Sequence, residues 1–354
     1  MKKLLLAAAT AAAMSWAATA AQAATKVCFV YVGSKTDGGW TQAHDIGRQE
    51  LENHYGDEVE TLYLENVSEG PDAERAIERF ARSGCSLIFT TSFGFMDPTL
   101  EVASKFPDVR FEHATGYKTA DNVTSYNSRF YQGRYILGQI AGRMSTTGVA
   151  GYIASFPIPE VVRGINAFVL GAQTVNPDFQ IKVIWVNSWF DPGKEADAAK
   201  ALVDQGVDIL TQHTDSTAPM QVAAERGIYA FGQASDMIEA GPETQLTAII
   251  DSWGPYYIKR TEAVKDGTWA TQSTWDGLID GILTMAPYTN MPDDVKAMAM
   301  ETEAKVTTGE LHPFTGPIMK QDGTVWLKEG EVADDGTLLG MNFYVKGVDD
   351  QLPQ

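Results

Sequence analysis

Glu69-Gly-Pro-Asp-Ala-Glu-Arg-Ala-Ile-Glu-Arg-Phe-Ala-Arg-Ser-Gly84-Cys-Ser-Leu-Ile88 is answered 122 residues later by Asp191-Pro-Gly-Lys-Glu-Ala-Asp-Ala-Ala-Lys-Ala-Leu-Val-Asp-Gln-Gly206-Val-Asp-Ile-Leu210. Both stretches place apolar residues at helical spacing, reach a glycine where a helix C-cap belongs, and run into a short apolar strand. Each strand then opens into a polar loop, Thr91-Ser-Phe-Gly-Phe95 in one and His213-Thr-Asp-Ser-Thr217 in the other. A second helix follows each loop, Pro98–Lys105 and Ala218–Arg226, and then a strand, around Val109–His113 and Ile228–Phe231. The opening strand Val27–Val32 finds its counterpart in Val149–Ala154. The chain is therefore read as α/β, with two similar βαβαβ halves forming two Rossmann-like lobes. Apolar strands alternating with helices imply parallel sheets covered on both faces. Ligands of such sheets bind outside the carboxyl ends of the strands, so the two sets of loops should face one cleft.

Around this repeat the chain divides as follows. Residues 24–128 plus about 250–285 are expected to form lobe 1. Residues 129–249 plus about 286–354 are expected to form lobe 2. The chain should cross between lobes near residues 127–131 and 247–252, and the strongly helical Phe130–Met144 should begin the second lobe. Residues 1–23 read as a secretory signal: Lys2 and Lys3, an Ala-rich apolar run Leu4–Ala20, and Ala21-Gln22-Ala23 as cleavage site. No cysteine stands at the cleavage point, so an exported, periplasmic chain without a lipid anchor is expected. Removing those residues with their two lysines would leave 331 residues and a charge of −21, against 354 and −19 for the whole chain. With a pI near 4.6, nucleic acid is an unsuitable partner, because phosphate binding needs a basic surface. No later stretch is apolar for long enough to span a bilayer.

Catalytic signatures are missing from the sequence. It contains no G-x-x-x-x-G-K-[ST], no G-x-G-x-x-G after the opening strand, no G-x-S-x-G and no H-E-x-x-H. The five histidines, at positions 44, 54, 113, 213 and 312, show no metal-ligand spacing with each other or with a cysteine. No metal and no cofactor are expected. Cys28 and Cys85 both fall at the start of strands of the first lobe, either as a disulfide or as two buried thiols.

The predicted cleft loops offer aromatics, carboxylates and amides. Trp40 follows Asp37-Gly-Gly after the first strand, where it either projects into the cleft or packs on its own lobe. Phe93 and Phe95 flank Gly94, and their alternate spacing should turn at least one to the cleft. Trp189 and Phe190 follow the strand Ile181–Val186. One aromatic from each lobe could sandwich a flat ring, which selects planar heterocycles. The polar candidates are Asp37, Asn66, Ser92, Asn127, Asp215, Asp236 and Asp251; Asp37 has the alternative of capping the following helix. Asp215 directly follows a strand, and the repeat superposes it on Phe93. Carboxylates at Asp37, Asp215, Asp236 and Asp251 should favour N–H-rich ligands and reject phosphorylated ones.

Over nearly its whole length the sequence resembles the basic membrane protein family of ABC-transporter solute-binding proteins, the group containing purine nucleoside receptors. The resemblance is carried by Asp37-Gly-Gly-Trp40-Thr41-Gln42, Ser86-Leu-Ile-Phe89, Phe106-Pro-Asp-Val-Arg-Phe111, Asp121-Asn-Val-Thr-Ser125, Tyr135-Ile-Leu-Gly138, Gly148-Val-Ala-Gly-Tyr-Ile153, Gly171-Ala172, Asn176-Pro177, Phe190-Asp-Pro-Gly-Lys194 and Gly309-Glu-Leu-His-Pro-Phe-Thr-Gly-Pro317. It implies the type I periplasmic-binding fold, a small purine-like ligand, a membrane permease as partner, and a monomer. Family nucleoside receptors stack the base between two aromatics, matched here by Trp40 and Trp189. They hold ribose with an Asp and a Lys where this chain has Ala234, in Phe231-Gly-Gln-Ala234, and Asp251, in Ile249-Ile-Asp251. A base site without the sugar clamp points to a free purine such as adenine, with a nucleoside as the alternative if Asp236 replaces the clamp. The competing classes are an exported nucleoside hydrolase using Asp215 with His213, and a sensory receptor.

Overall fold

The computed structural model describes residues 24–353; the signal segment read in residues 1–23 lies outside them. The first half runs β1 (Thr25–Val30), α1 (Trp40–Tyr55), β2 (Val59–Leu64), α2 (Pro71–Arg82), β3 (Leu87–Thr90), α3 (Met96–Ala103), β4 (Arg110–Ala114) and β5 (Val123–Ser128). The second runs α4 (Phe130–Met144), β6 (Val149–Ala154), α5 (Pro159–Gln173), β7 (Gln180–Trp185), α6 (Pro192–Asp204), β8 (Ile209–His213), α7 (Ala218–Arg226), β9 (Tyr229–Gly232) and β10 (Gln245–Asp251). Then come α8 (Gly254–Lys265), β11 (Thr274–Asp276), β12 (Leu283–Met285) and α9 (Asp293–Thr307).

The strands form two six-stranded sheets, ordered β11-β5-β4-β3-β1-β2 and β12-β10-β9-β8-β6-β7. The two orders are the same when each half is numbered from its own first strand, as two copies of one βαβαβ plan require. All pairings in the first sheet are parallel; in the second, only β12 runs antiparallel, against β10. The repeat is visible down to single hydrogen bonds. Gly84 and Gly206 have φ of 86° and 91°, a left-handed conformation that glycine adopts without a Cβ penalty. Beyond them Cys85 N–H donates to Phe80 O (3.2 Å) and Val207 N–H to Leu202 O (3.4 Å), turning each helix back into its strand.

Burial explains why the elements stay where they are. The stripe Ala73, Ala76, Ile77, Phe80 and Ala81 of α2 is buried against β1 and β3, while its charged face is outside. Each fully buried large side chain such as Ile77 contributes roughly 1.5–3 kcal/mol. Cys28 and Cys85 form a disulfide with Cα atoms 6.0 Å apart, both 1% exposed or less, tying β1 to the residue before β3's own neighbour Ser86.

The chain crosses between lobes three times, side by side. After β5 it enters α4, which packs on α5, α9 and β10; after β10 it returns as α8, which packs on α1. The third crossing lies between β11 and β12. This return leg ends sooner than the expected 285, because Leu283–Met285 pairs with β10 in the second sheet. Bonds bind the crossings to one another: Arg129 N–H to Asp276 O (2.7 Å) and Ser252 N–H to Ile282 O (2.9 Å). The tail covers the second lobe, where buried Asn166 bonds Phe343 O (2.8 Å) and Val345 N–H (3.0 Å).

Candidate functional site

The carboxyl ends of both sheets face each other across a narrow cleft. Its central pocket is lined from lobe 1 by Val32, Trp40, Ser92, Phe93 and Thr115, and from lobe 2 by Glu160, Trp189, His213, Asp215 and Gln233. The space between these walls is about 330 Å³ counting its open mouth. The lobes touch closely here. A Cβ on Gly39 would stand 2.7 Å from Asp215 O, and the Ser235 hydroxyl donates to Gly38 O. Only a residue without a side chain permits that approach.

Trp40 opens α1, its indole N–H donating to Thr91 O at 2.7 Å. Its ring stands edge-on to His44 (4.4 Å) and Trp253 (5.5 Å), so it is at once a pocket wall and part of the lobe 1 packing. Trp189 is held more lightly: its ring lies 5.1 Å from Phe156, its carbonyl accepts from Asp215 N–H at 3.0 Å, and its indole N–H reaches Glu69 across the cleft at 3.3 Å. Phe93 faces the pocket. Phe95, two residues on, does not: it is fully buried in the core behind β3, because the short 3₁₀ turn Phe93–Phe95 rotates it inward.

The polar residues divide by what already occupies them. Asp37 is a helix cap, accepting from Gly39, Thr41 and Gln42 N–H at 2.9–3.0 Å; burial raises its pKa, against those three donors. It does not line the central pocket. Asp236 also serves the backbone, accepting from Ile238 N–H (3.1 Å) and Gln245 Nε2 (2.6 Å) in a separate recess. Asn66 and Phe190 line a rim recess that shares Trp189 and Asp215 with the pocket. Asn127 lines a side recess with Phe93, Thr115 and Glu160, and Ser92 donates to Glu69 at 2.6 Å.

Asp215 is 4% exposed and has no hydrogen-bond donor on its carboxyl among the described residues. Burial, then Asp37, Glu195, Asp251 and Glu160, push its pKa well above the carboxylate range. A carboxyl so placed keeps its proton to higher pH than an ordinary one, and in that form it can both donate and accept. Gln233 is oriented by Arg134, whose guanidinium donates to its oxygen, leaving the amide N–H groups for the pocket. His213 is kept below its ordinary pKa by burial, with Nε2 3.3 Å from Glu160 Oε1.

Asp251 ends β10 and lines the same separate recess as Ala234 and Asp236. Both its oxygens are buried without a partner, and burial first, then Glu160, hold its pKa well up, with Arg134 opposing. An acid whose folded pKa is raised contributes full stability below its unfolded pKa, about 3.9, and loses it as pH climbs toward the folded value. Asp251→Asn removes that penalty. It should raise stability at pH 8, with the gain vanishing near pH 4. Urea unfolding of both proteins at the two pH values measures this; an equal difference at both would mean that Asp251 does not titrate in that interval.

Four pocket residues were not among the sequence candidates: Val32, Thr115, Glu160 and Gln233; His213 was named only with Asp215 for the hydrolase alternative. Glu160 follows Pro159 in the first turn of α5, beyond the end of β6, which the repeat marks as equivalent to the end of β1. Gln233 directly precedes Ala234, the position singled out for its lack of a sugar-binding acid.

Residues 24–311 match the family described as ABC transporter substrate-binding protein, PnrA-like. A purine-binding protein of Brucella abortus is 70% identical over 329 residues, covering 93% of this chain and 94% of its own. A Haloferax volcanii protein carrying a glucose-binding name is 38% identical, covering 92% and 80%. Among solved structures, a solute-binding protein of an ABC transporter system from Aeropyrum pernix superposes with a TM-score of 0.71 at 18% identity, covering 88% of this chain and 95% of that one. The last likeness concerns the fold.

Proposed function

The chain belongs to the family of PnrA-like ABC transporter substrate-binding proteins, and from that premise we propose that it captures a purine in the periplasm and delivers it to a membrane permease. The free base adenine is the favoured ligand, before a nucleoside. The observation that carries this reading is the pairing, in one pocket, of aromatic walls from both lobes (Trp40 and Phe93, Trp189) with Asp215 and Gln233. Aromatic faces suit a flat base. A Gln amide and, in its protonated form, a carboxyl both complement an edge that carries a ring-nitrogen acceptor beside an exocyclic amine. Ala234 and the partnerless Asp251 offer no pair of groups arranged for ribose hydroxyls. The purine-binding name of the Brucella relative agrees.

Each lobe supplies part of the lining, so a ligand gains contacts only when the lobes close, and its binding favours the closed form. No reaction is assigned to the pocket. The glucose-binding name of the Haloferax relative supports one second reading, a hexose stacked on the same rings. Thermal-shift measurements with adenine, adenosine and glucose separate these. Adenine at a hundred times its Kd should add about 2.7 kcal/mol to stability and raise the melting temperature by several degrees. A shift with adenosine alone would restore the nucleoside reading, and one with glucose alone would replace purine by sugar. Adenine recovered chemically unchanged after incubation would remove the hydrolase alternative for that ligand.

A further inference from the structure

Glu69 is exposed, at the turn into α2, and it does not line the central pocket. Its Oε1 accepts three hydrogen bonds. Ser92 Oγ (2.6 Å) and Gly94 N–H (3.1 Å) come from its own lobe, and Trp189 Nε1–H (3.3 Å) comes from the other. The carboxylate fills the place a side chain on Gly94 would take, so the loop after β3 is shaped around it. Trp189 is thereby held at both ends: its carbonyl by Asp215 N–H within its own lobe, its ring by Glu69 across the cleft. Opening the lobes would separate Glu69 from Trp189 while leaving its bonds to Ser92 and Gly94 inside lobe 1.

We propose that Glu69 is a positioning residue that latches Trp189 over the pocket in the closed form and so sets the rate of ligand release. The proposal rests on the cleft being the ligand site. A bond made only on closure stabilises the closed state and leaves the encounter of ligand with the open protein unchanged, so its loss should appear in dissociation. The bond is charge-assisted but near solvent, which sets a modest expected size.

Stopped-flow binding of adenine to the wild type, Glu69→Ala, Trp189→Phe and the double variant tests this. Glu69→Ala should speed dissociation about fivefold with association within about twofold. Trp189→Phe keeps an aromatic face but has no N–H to donate. In that background Glu69→Ala should have no further effect, the non-additivity expected of a shared contact. If Glu69→Ala speeds release equally in both backgrounds, Glu69 acts by shaping the Ser92–Gly94 loop and the latch is wrong; slowed association or an unchanged release rate also overturns it. Should adenine fail to bind the wild type, the purine reading alone falls. The same four proteins are then compared with adenosine or glucose, and by small-angle scattering without ligand, where the latch requires the variants to be at least as extended as the wild type and an extra compaction contradicts it.

Discussion

Replacing Trp189 with alanine should weaken adenine binding ten- to hundredfold while leaving the ligand-free protein almost as stable as before. Loss of one stacked aromatic costs about 1–3 kcal/mol per base, and each 1.4 kcal/mol is a factor of ten in affinity. Trp189 also lines, with Asp215, both the pocket and its rim recess, so its removal opens Asp215 further to water. Its ring is only partly buried at the edge of the core, with one aromatic neighbour, Phe156 at 5.1 Å, and one side-chain bond, to Glu69. Unfolding free energy should therefore change by about 1 kcal/mol or less. Trp40→Ala makes the contrast. The same loss of stacking is expected, but Trp40 also packs on His44 and Trp253 and bonds Thr91 O, so about 3–5 kcal/mol of stability should go with it. Calorimetric titration with adenine and thermal unfolding of both variants give the two quantities. An affinity within threefold of the wild type for Trp189→Ala would mean that this ring is not a ligand platform.

The Cys28→Ala/Cys85→Ala variant should lose about 4 kcal/mol, the chain-entropy value for a bridge spanning 57 residues. The loss should fall on one lobe. The bridge lies wholly within the first sheet and its α2 face, and the second lobe has no counterpart because Val207 stands where the repeat places Cys85. Heating the variant should then separate unfolding into two transitions, the lower one belonging to lobe 1, because the lobes no longer share one stability. Scanning calorimetry measures this. A loss under about 1 kcal/mol with a single transition would show that the bridge adds nothing to what β1 and β3 already hold. Both sulfurs are buried, so mild reductant should leave the folded wild type intact.

The lobes were legible in the sequence because their determinants are local: an apolar stripe, a glycine at the end of it, a strand next. Phe130–Met144 is a helix in both the reading and the structure for the same reason. The extents of the late segments were less legible. Leu283–Met285 is three residues long and is a strand only because β10 offers it an edge, which no local pattern announces. The site followed the same division. That the loops after β1, β3, β7 and β8 meet was foreseeable from topology. Which side chains turn inward was not. Asp37 and Asp236 find backbone N–H groups within five residues and are occupied by them, whereas Asp215 finds none. Phe95 was expected to share the cleft or leave it to Phe93, and a single 3₁₀ turn decides between them. Glu160 was not legible because it stands in the first turn of α5, past the loop after β6 whose aromatic is Phe156, and no repeated motif marks that position.

The three crossings have a consequence for how such a chain comes into being. No single cut releases a whole lobe, for each sheet takes its last strand from beyond residue 270. A chain made from its N-terminus completes β1 to β5 early, yet α8 and β11, which cover α1 and extend β5, emerge only after β6 to β10. Trp253 and Tyr257, packed on His44, trail it by about two hundred residues. The lobe that begins first must wait, its aromatic core open on one side, until the other is nearly made.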